Sequence, residues 1–211
     1  MASDTILRDL RSKDREDLIR GYLDLYRERE AGEPIGILLF TTPPLWEEEL
    51  KWFESVQRSV ASGAKIVVVA EVDGHAVGLC EATRHGPSSP NHEMAHVADL
   101  GILVQRAHRG HGVGEALLRE VLARCRGKFE IVILSVFADN ARAKHLYRKL
   151  GFRPYGSLPE GLKRGKRYID SDLMYLDLRT APPEGAPRGK SSRKLNRGTL
   201  SASAPSPIHG G

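Results

Sequence analysis

Apolar residues recur along this chain with two periods. Over TILRDL they mark a short first strand. Leu18, Ile19, Tyr22, Leu23 and Leu25 then return near helical spacing, which predicts a helix from about 13 to 30 with Ser12 as N-cap. Gly32, Pro34 and Gly36 break it. After Pro43 and Pro44, the residues Leu45, Trp46, Leu50, Phe53 and Val56 form the apolar side of a second helix, about 46 to 61, closed by Ser62-Gly63. KIVVVAEV and HAVGLCEAT flank Asp73-Gly74, a strong hairpin signal. HVADLGILV (96–104) reads as a further strand. Val113, Leu117, Leu118, Val121, Leu122 and Cys125 make the buried side of a helix ending near Arg126. FEIVILSVF (129–137) is a largely buried strand. A short helix capped by Asp139 carries Ala143, Leu146, Tyr147 and Leu150 and stops at Gly151. RYIDSDLMYLDL closes the fold as a strand or hairpin arm. Strands and helices thus mix in one α/β (α+β) pattern.

The stretch RAHRGHGVGEALLRE (106–120) runs a basic, glycine-studded loop straight into a helix. Backbone N–H groups at a helix start have no partner within the helix and lie at its positive end, so such a loop binds anions. A Walker loop needs Lys and then Ser or Thr after its last glycine; Glu115-Ala116 follows Gly114. The dinucleotide fingerprint needs Gly or Ala three residues beyond Gly114, and Leu117 stands there. What remains is Arg109-x-x-Gly112-x-Gly114 after a strand ending at Val104. About 25 residues later comes SVFADNARAKHLYRKLGF, a strand, an Asn, a helix with a Tyr, then Gly151-Phe152.

These two blocks, in this order and spacing, resemble the GNAT acetyltransferase superfamily over about residues 96–152. The resemblance implies a mixed, mostly antiparallel twisted sheet of six to seven strands flanked by about four helices. It implies acetyl-CoA as co-substrate, no metal, and an amine acceptor attacked directly, without an acyl-enzyme. By the same resemblance the backbone of Ile102, Leu103 and Val104 pairs with the pantetheine, and an amide there polarises the thioester carbonyl. Arg109, Gly110, His111, Gly112, Val113, Gly114 and Glu115 hold the pyrophosphate, with Arg109 adding positive charge. Asn140 falls on a family position, although a plain helix-start residue is the alternative. Tyr147 protonates the departing sulfur, against the alternative of a core tyrosine. A thiol titrates near ~8.5 and a phenol near ~10, so the donation is only slightly uphill.

The general base stays open. Asp99 comes first, Glu81 and Glu71 on neighbouring strands follow, and relayed water is the further option. The finer resemblance is to bacterial L-amino-acid N-acetyltransferases. It is weaker to the ribosomal-protein N-terminal acetylases, which carry a catalytic Glu twelve residues before the Tyr, where Ser135 stands here. A free amino acid is therefore the leading acceptor. Acetylation of a protein N-terminus or lysine is one alternative, and a non-catalytic acyl-CoA sensor another, disfavoured by the retained Tyr147. Leu45, Trp46, Trp52 and Phe53 line an acceptor pocket or, more commonly for such a helix, pack on the sheet. GNAT proteins often pair, so a homodimer is an expectation, with no interface selected by the sequence.

Composition narrows the rest. The length of 211 residues suits one domain, drawn here as 1–179, followed by a Pro/Gly/Ser-rich tail at 180–211 expected to be disordered. The net charge is +5, but Arg188, Lys190, Arg193, Lys194 and Arg197 face Glu184 alone in that tail. The body is nearly neutral, so no specific nucleic-acid partner is expected; the tail reads as a solvated extension or a weak contact with an acidic partner. Cys80 and Cys125 form no CxxC and sit in apolar patterns, which suits buried thiols in a reducing cytoplasm. No apolar run approaches the roughly 20 residues that span a bilayer, and the start lacks a signal-peptide build. HEMAH (92–96) matches the zinc-protease pattern HExxH, but a strand begins at once after it, so a polar loop near the acceptor mouth is the reading, with His92 and Glu93 as candidate contacts.

Overall fold

A computed structural model describes residues 4–33, 35–87 and 89–180. Past Thr180 the basic tail lies outside the described residues. The described chain runs β1 (Ile6–Asp9), α1 (Arg15–Glu30), α2 (Trp46–Ala61), β2 (Lys65–Val72), β3 (His75–Arg84), β4 (Val97–Val104), α3 (Val113–Cys125), β5 (Ile131–Phe137), α4 (Ala141–Lys149), β6 (Arg153–Arg164) and β7 (Arg167–Asp177). The seven strands form one sheet in the order β1-β2-β3-β4-β5-β7-β6. Every pairing is antiparallel except β4 with β5.

Both faces of the sheet are covered. The larger core packs Leu117, Leu118 and Val121 of α3, with Tyr147 of α4, on Val68, Cys80, Ala98 and Val132. The smaller one packs Leu18 of α1 and Phe53 and Val56 of α2 on Val67, Val69 and Leu79, with Leu103 against it. Two-sided burial explains why β2 reads as a continuous β-branched run rather than an alternation. The β2–β3 turn has Asp73 at φ 50° and Gly74 at φ 86°, the conformations a two-residue hairpin requires. A bulge follows: Glu71 pairs with Ala76 and Ala70 with Gly78, leaving Val77 as the extra residue.

Three local expectations are corrected. Ser12 does not cap α1; its hydroxyl accepts from Gln57 Nε2 at 3.1 Å. Asp14, buried, takes Arg11 N–H at 2.7 Å and Arg8 through both carboxylate oxygens at 2.7 Å, and so fixes the helix entry. Asp139 does not cap α4; it pairs with Arg167 at 2.8 Å, and Asn140 Oδ1 accepts from Ala143 N at 3.0 Å instead. On α2 the apolar side is narrower than expected, because Leu45 and Trp46 are exposed while Phe53 and Val56 are buried. The end of α4 follows expectation: Gly151 takes φ 98°, and Gly151 N and Phe152 N return to Arg148 O and Tyr147 O.

Candidate functional site

The site is built where the sheet comes apart. β4 and β5 pair only at Val97↔Ile131, Ala98↔Val132 and Asp99↔Ile133. β4 then runs on to Val104 and β5 to Phe137 with no ladder between them. On its other side β4 stays paired with β3 as far as Gly78↔Val104. Ile102, Leu103 and Val104 thus have one backbone edge satisfied and one turned to the gap. Extended backbone with open edge groups can take an extended ligand as a further strand.

The loop leaving β4 carries its glycines where the backbone needs them. Gly110 lies at φ 89°, and Gly112, the residue before α3, at φ 85°, where a side chain would be strained. Gly114 differs: a Cβ there would rest 3.8 Å from Ile102 Cδ1, in ordinary contact, so the packing of α3 on β4 does not require a glycine. The N–H groups of residues 110–115 donate to no described atom. Six neighbouring donors at a helix start make an anion cradle.

Arg109 is used otherwise than expected. Its Nη1 and Nη2 bind the Glu28 carboxylate of α1 at 2.6 and 3.1 Å, and its Nε donates to Val104 O at 2.7 Å. Its charge is neutralised, and the side chain ties the loop to α1 and β4. A second cation, not singled out from the sequence, stands by the loop: Arg142, in the first turn of α4. It is exposed, has no described carboxylate partner, and lies 3.5 Å from where a Cβ on Gly110 would stand. Glu115 is held below the usual carboxylate range by Lys149 at 2.6 Å and then by Arg119 at 2.8 Å. His111 is exposed and Val113 buried at the start of α3.

Tyr147 is 9% exposed and sits in the larger core, edge-on to Phe152 at 5.7 Å. No described group hydrogen-bonds its hydroxyl. Burial raises the phenol well above its ordinary range, and the nearby Cys80 thiol adds to this. Cys80 is the register partner of Ile102 on β4. Burial also pushes the Cys125 thiol up to about 12 and Cys80 well above its usual value, so both thiols stay protonated. The ring belongs to the core, and its hydroxyl has no described hydrogen-bond partner.

Asn140 spends its side-chain oxygen on the α4 cap. Its amide nitrogen faces the α1–α2 loop, where a Cβ on Gly36 would come within 2.3 Å. That loop is fastened over the end of the gap. Arg164 donates to Ile35 O at 2.8 Å and Ile37 O at 3.2 Å while lying over the Phe137 ring. Arg29 donates to Phe40 O at 3.1 Å, and Phe40 N–H donates to Tyr26 Oη at 3.1 Å.

Of the base candidates, Asp99 is 53% solvent-exposed in its side chain and accepts from or shares a proton with His85 Nδ1 at 2.8 Å, a partner not foreseen. Glu81 lies opposite Gly101 and pairs with Lys65 at 2.8 Å. Glu71 is removed from the gap: it belongs to the β1–β2 ion cluster with Arg8 and Lys13, which hold its carboxyl low. HEMAH forms turns rather than a helix, and no group of three or more His, Cys, Asp or Glu side chains among the described residues could hold a metal. No helix among them is long and apolar enough to cross a membrane.

A parted sheet with open β4 edge groups thus has an anion cradle beyond it and a buried tyrosine in the core beneath it. Residues 23–152 match the Acetyltransferase (GNAT) family, and the chain belongs to that family. It is 31% identical over 133 residues to the L-amino acid N-acetyltransferase AaaT of Escherichia coli K12, covering 62% of this chain and 74% of that one. It is 37% identical over 99 residues to the N-alpha-acetyltransferase RimI of Mycobacterium tuberculosis, over 47% of this chain and 59% of that one. Among solved structures, an N-acetyltransferase from Staphylococcus aureus Mu50 shares the fold with a TM-score of 0.71 at 21% identity, over 83% and 99% of the two chains. The yncA protein of Salmonella typhimurium, solved with acetyl-CoA, gives 0.69 at 19%, over 86% and 99%. The chain is thus an acetyl-CoA-dependent N-acetyltransferase of GNAT type.

Proposed function

We propose that this enzyme acetylates the α-amino group of a free amino acid. The observation that carries the reading is the gap between β4 and β5 with the unpartnered Tyr147 hydroxyl beside it. The relative named as an L-amino acid N-acetyltransferase supports the acceptor class. Acetyl-CoA supplies the activated acyl group. The amides of 110–115 take its pyrophosphate, Arg142 adds the positive charge, and the open edge of Ile102, Leu103 and Val104 takes the pantetheine as an added strand. Tyr147, kept protonated by burial, holds a proton for the sulfur. Asp99, oriented by His85, is the first choice to receive the ammonium proton, with water as relay.

Release of free CoA thiol tests this. Purified protein and acetyl-CoA are run against L-amino acids, a polyamine and short peptides. Turnover with amino acids and not peptides is expected. Turnover with peptides alone would move the acceptor to protein N-termini, the activity named for the Mycobacterium tuberculosis relative. Acetyl-CoA binding without turnover on any amine would indicate a sensor.

A further inference from the structure

Helix α1 crosses the sheet from β3 toward the gap. Near its start the Asp17 carboxylate accepts Ala76 N–H at 2.9 Å, at the head of β3. One turn on, Gly21 lies on Gln105 at the end of β4, where a Cβ would come within 2.9 Å of the side chain. At its far end Glu28 holds Arg109, beyond β4. Leu18 shares a core with Phe53 of α2 and Leu103 of β4. Tyr22 is one turn past Leu18, and Glu49 one turn before Phe53, so the two continue the same contact along their helices. Glu49 is near enough for its charge to act on the Tyr22 phenol.

Glu49 is out of place there unless something joins it. The residue is 6% exposed. No described group donates a hydrogen bond to its carboxylate and no described cation pairs with it; burial first, and then the like charge of Glu48, raise its pKa. Its oxygens are not fully sealed, unlike Glu81 Oε2, and keep some contact with solvent. A mostly buried carboxylate left unpaired destabilises a fold, and a positive group from outside relieves it. The Tyr22 phenol that feels this charge is held in place: Tyr22 and Tyr26 stand edge-to-face at 5.8 Å, with hydroxyls 3.4 Å apart, and Tyr26 Oη accepts from Phe40 N–H. Carboxylate and aromatic ring together suit an alkylammonium.

We propose that Glu49, with the Tyr22 ring beside it, is the subsite that binds the acceptor's ammonium group, selecting aliphatic primary ammonium ions over neutral or anionic amines. The proposal rests on the acetyl-transfer reading only in taking that cation to be the acceptor.

The test uses full-length wild type, Glu49→Gln and Glu49→Met. Thermal unfolding is followed with n-butylammonium chloride and with sodium chloride at equal ionic strength. Butylammonium should raise the wild-type midpoint and leave both variants unmoved. Without ligand, each variant should melt at or above wild type, by about 2–4 °C. In the thiol-release assay with L-methionine, Glu49→Gln should raise the amine KM roughly ten- to hundredfold, the scale of a hydrogen bond to a charged group, with the acetyl-CoA Kd unchanged. Equal response to both salts in wild type and variants would overturn the subsite, as would variants that melt lower, which marks a structural residue. A butylammonium response with an unchanged amine KM would overturn its assignment to the acceptor. A wild type that turns over no amine yet shows the Glu49-dependent shift would sink the acetyl-transfer reading and keep the cation subsite.

Discussion

Burial raises the Tyr147 phenol further above neutrality, and in the proposed mechanism its hydroxyl, with no described partner, serves the departing sulfur. Tyr147→Phe should therefore lower kcat by roughly 10² or more with acetyl-CoA affinity nearly kept, the scale of a lost general acid. Wild-type turnover in the Phe variant would remove the residue from the mechanism. The two arginines near the loop should separate cleanly. Arg109→Ala leaves the buried Glu28 unpaired, at about 1–3 kcal/mol after discounting for the partial exposure of the arginine. Arg142→Ala should weaken acetyl-CoA binding with little change in stability. Calorimetry and denaturant melts on the pair check this, and the reverse assignment would mean that Arg109 reaches the phosphate after all. Arg109 was legible in the sequence as part of the loop. Its engagement by Glu28 was not, because the two are 81 positions apart and only the packing of α1 brings them together.

Among the elements, those whose signal is local were readable. The β-branched runs, the Asp73-Gly74 turn and the Gly151 stop each depend on a few neighbouring residues. β6 was not read, since Pro154, Gly156, Pro159 and Gly161 look like loop. It is an edge strand with two register breaks, at Pro154/Gly156 and Leu158/Leu162, the one place in a sheet where such residues are tolerated. Adjacent Asp139 and Asn140 are equally good caps by type, and only the path of the chain after β5 decides between them. Asn140→Ala should cost about 1 kcal/mol through the lost α4 cap. It should also disturb acetyl transfer, because α4 carries Tyr147. A chemical melt and kcat measured together check this; a stable variant with reduced kcat would give Asn140 a direct role instead. Glu49 was illegible for a related reason: a charged residue on a helix reads as solvent-facing until the partner helix is placed.

For the molecule as a whole, acid should unfold it through its paired carboxylates. Asp177, held near about 2 by Arg179, and Glu71, Glu115 and Asp172, all held low by cationic partners, are displaced downward in the folded state. Their contribution is present above the ordinary carboxylate range of roughly 4 and is lost as pH falls through the folded values. Glu49 acts in the opposite sense: raised by burial, it subtracts stability as pH rises through and above that range. Unfolding free energy followed from pH 7 to 2 should therefore drop steeply toward the acid end, and Glu49→Gln should gain most near neutrality. A flat acid limb would mean that these ion pairs persist in the unfolded chain.

The three residue pairs that join β4 to β5 also divide the sheet into two parts, one carrying β1 to β4 and the other β5 to β7, joined by a short seam and by one core beneath it. An occupant lying along the gap would replace the missing rungs and turn two half-sheets into one. Amide hydrogen exchange should then register acetyl-CoA as a strut: slow exchange would spread from the seam through Val104, and the two halves would begin to open together.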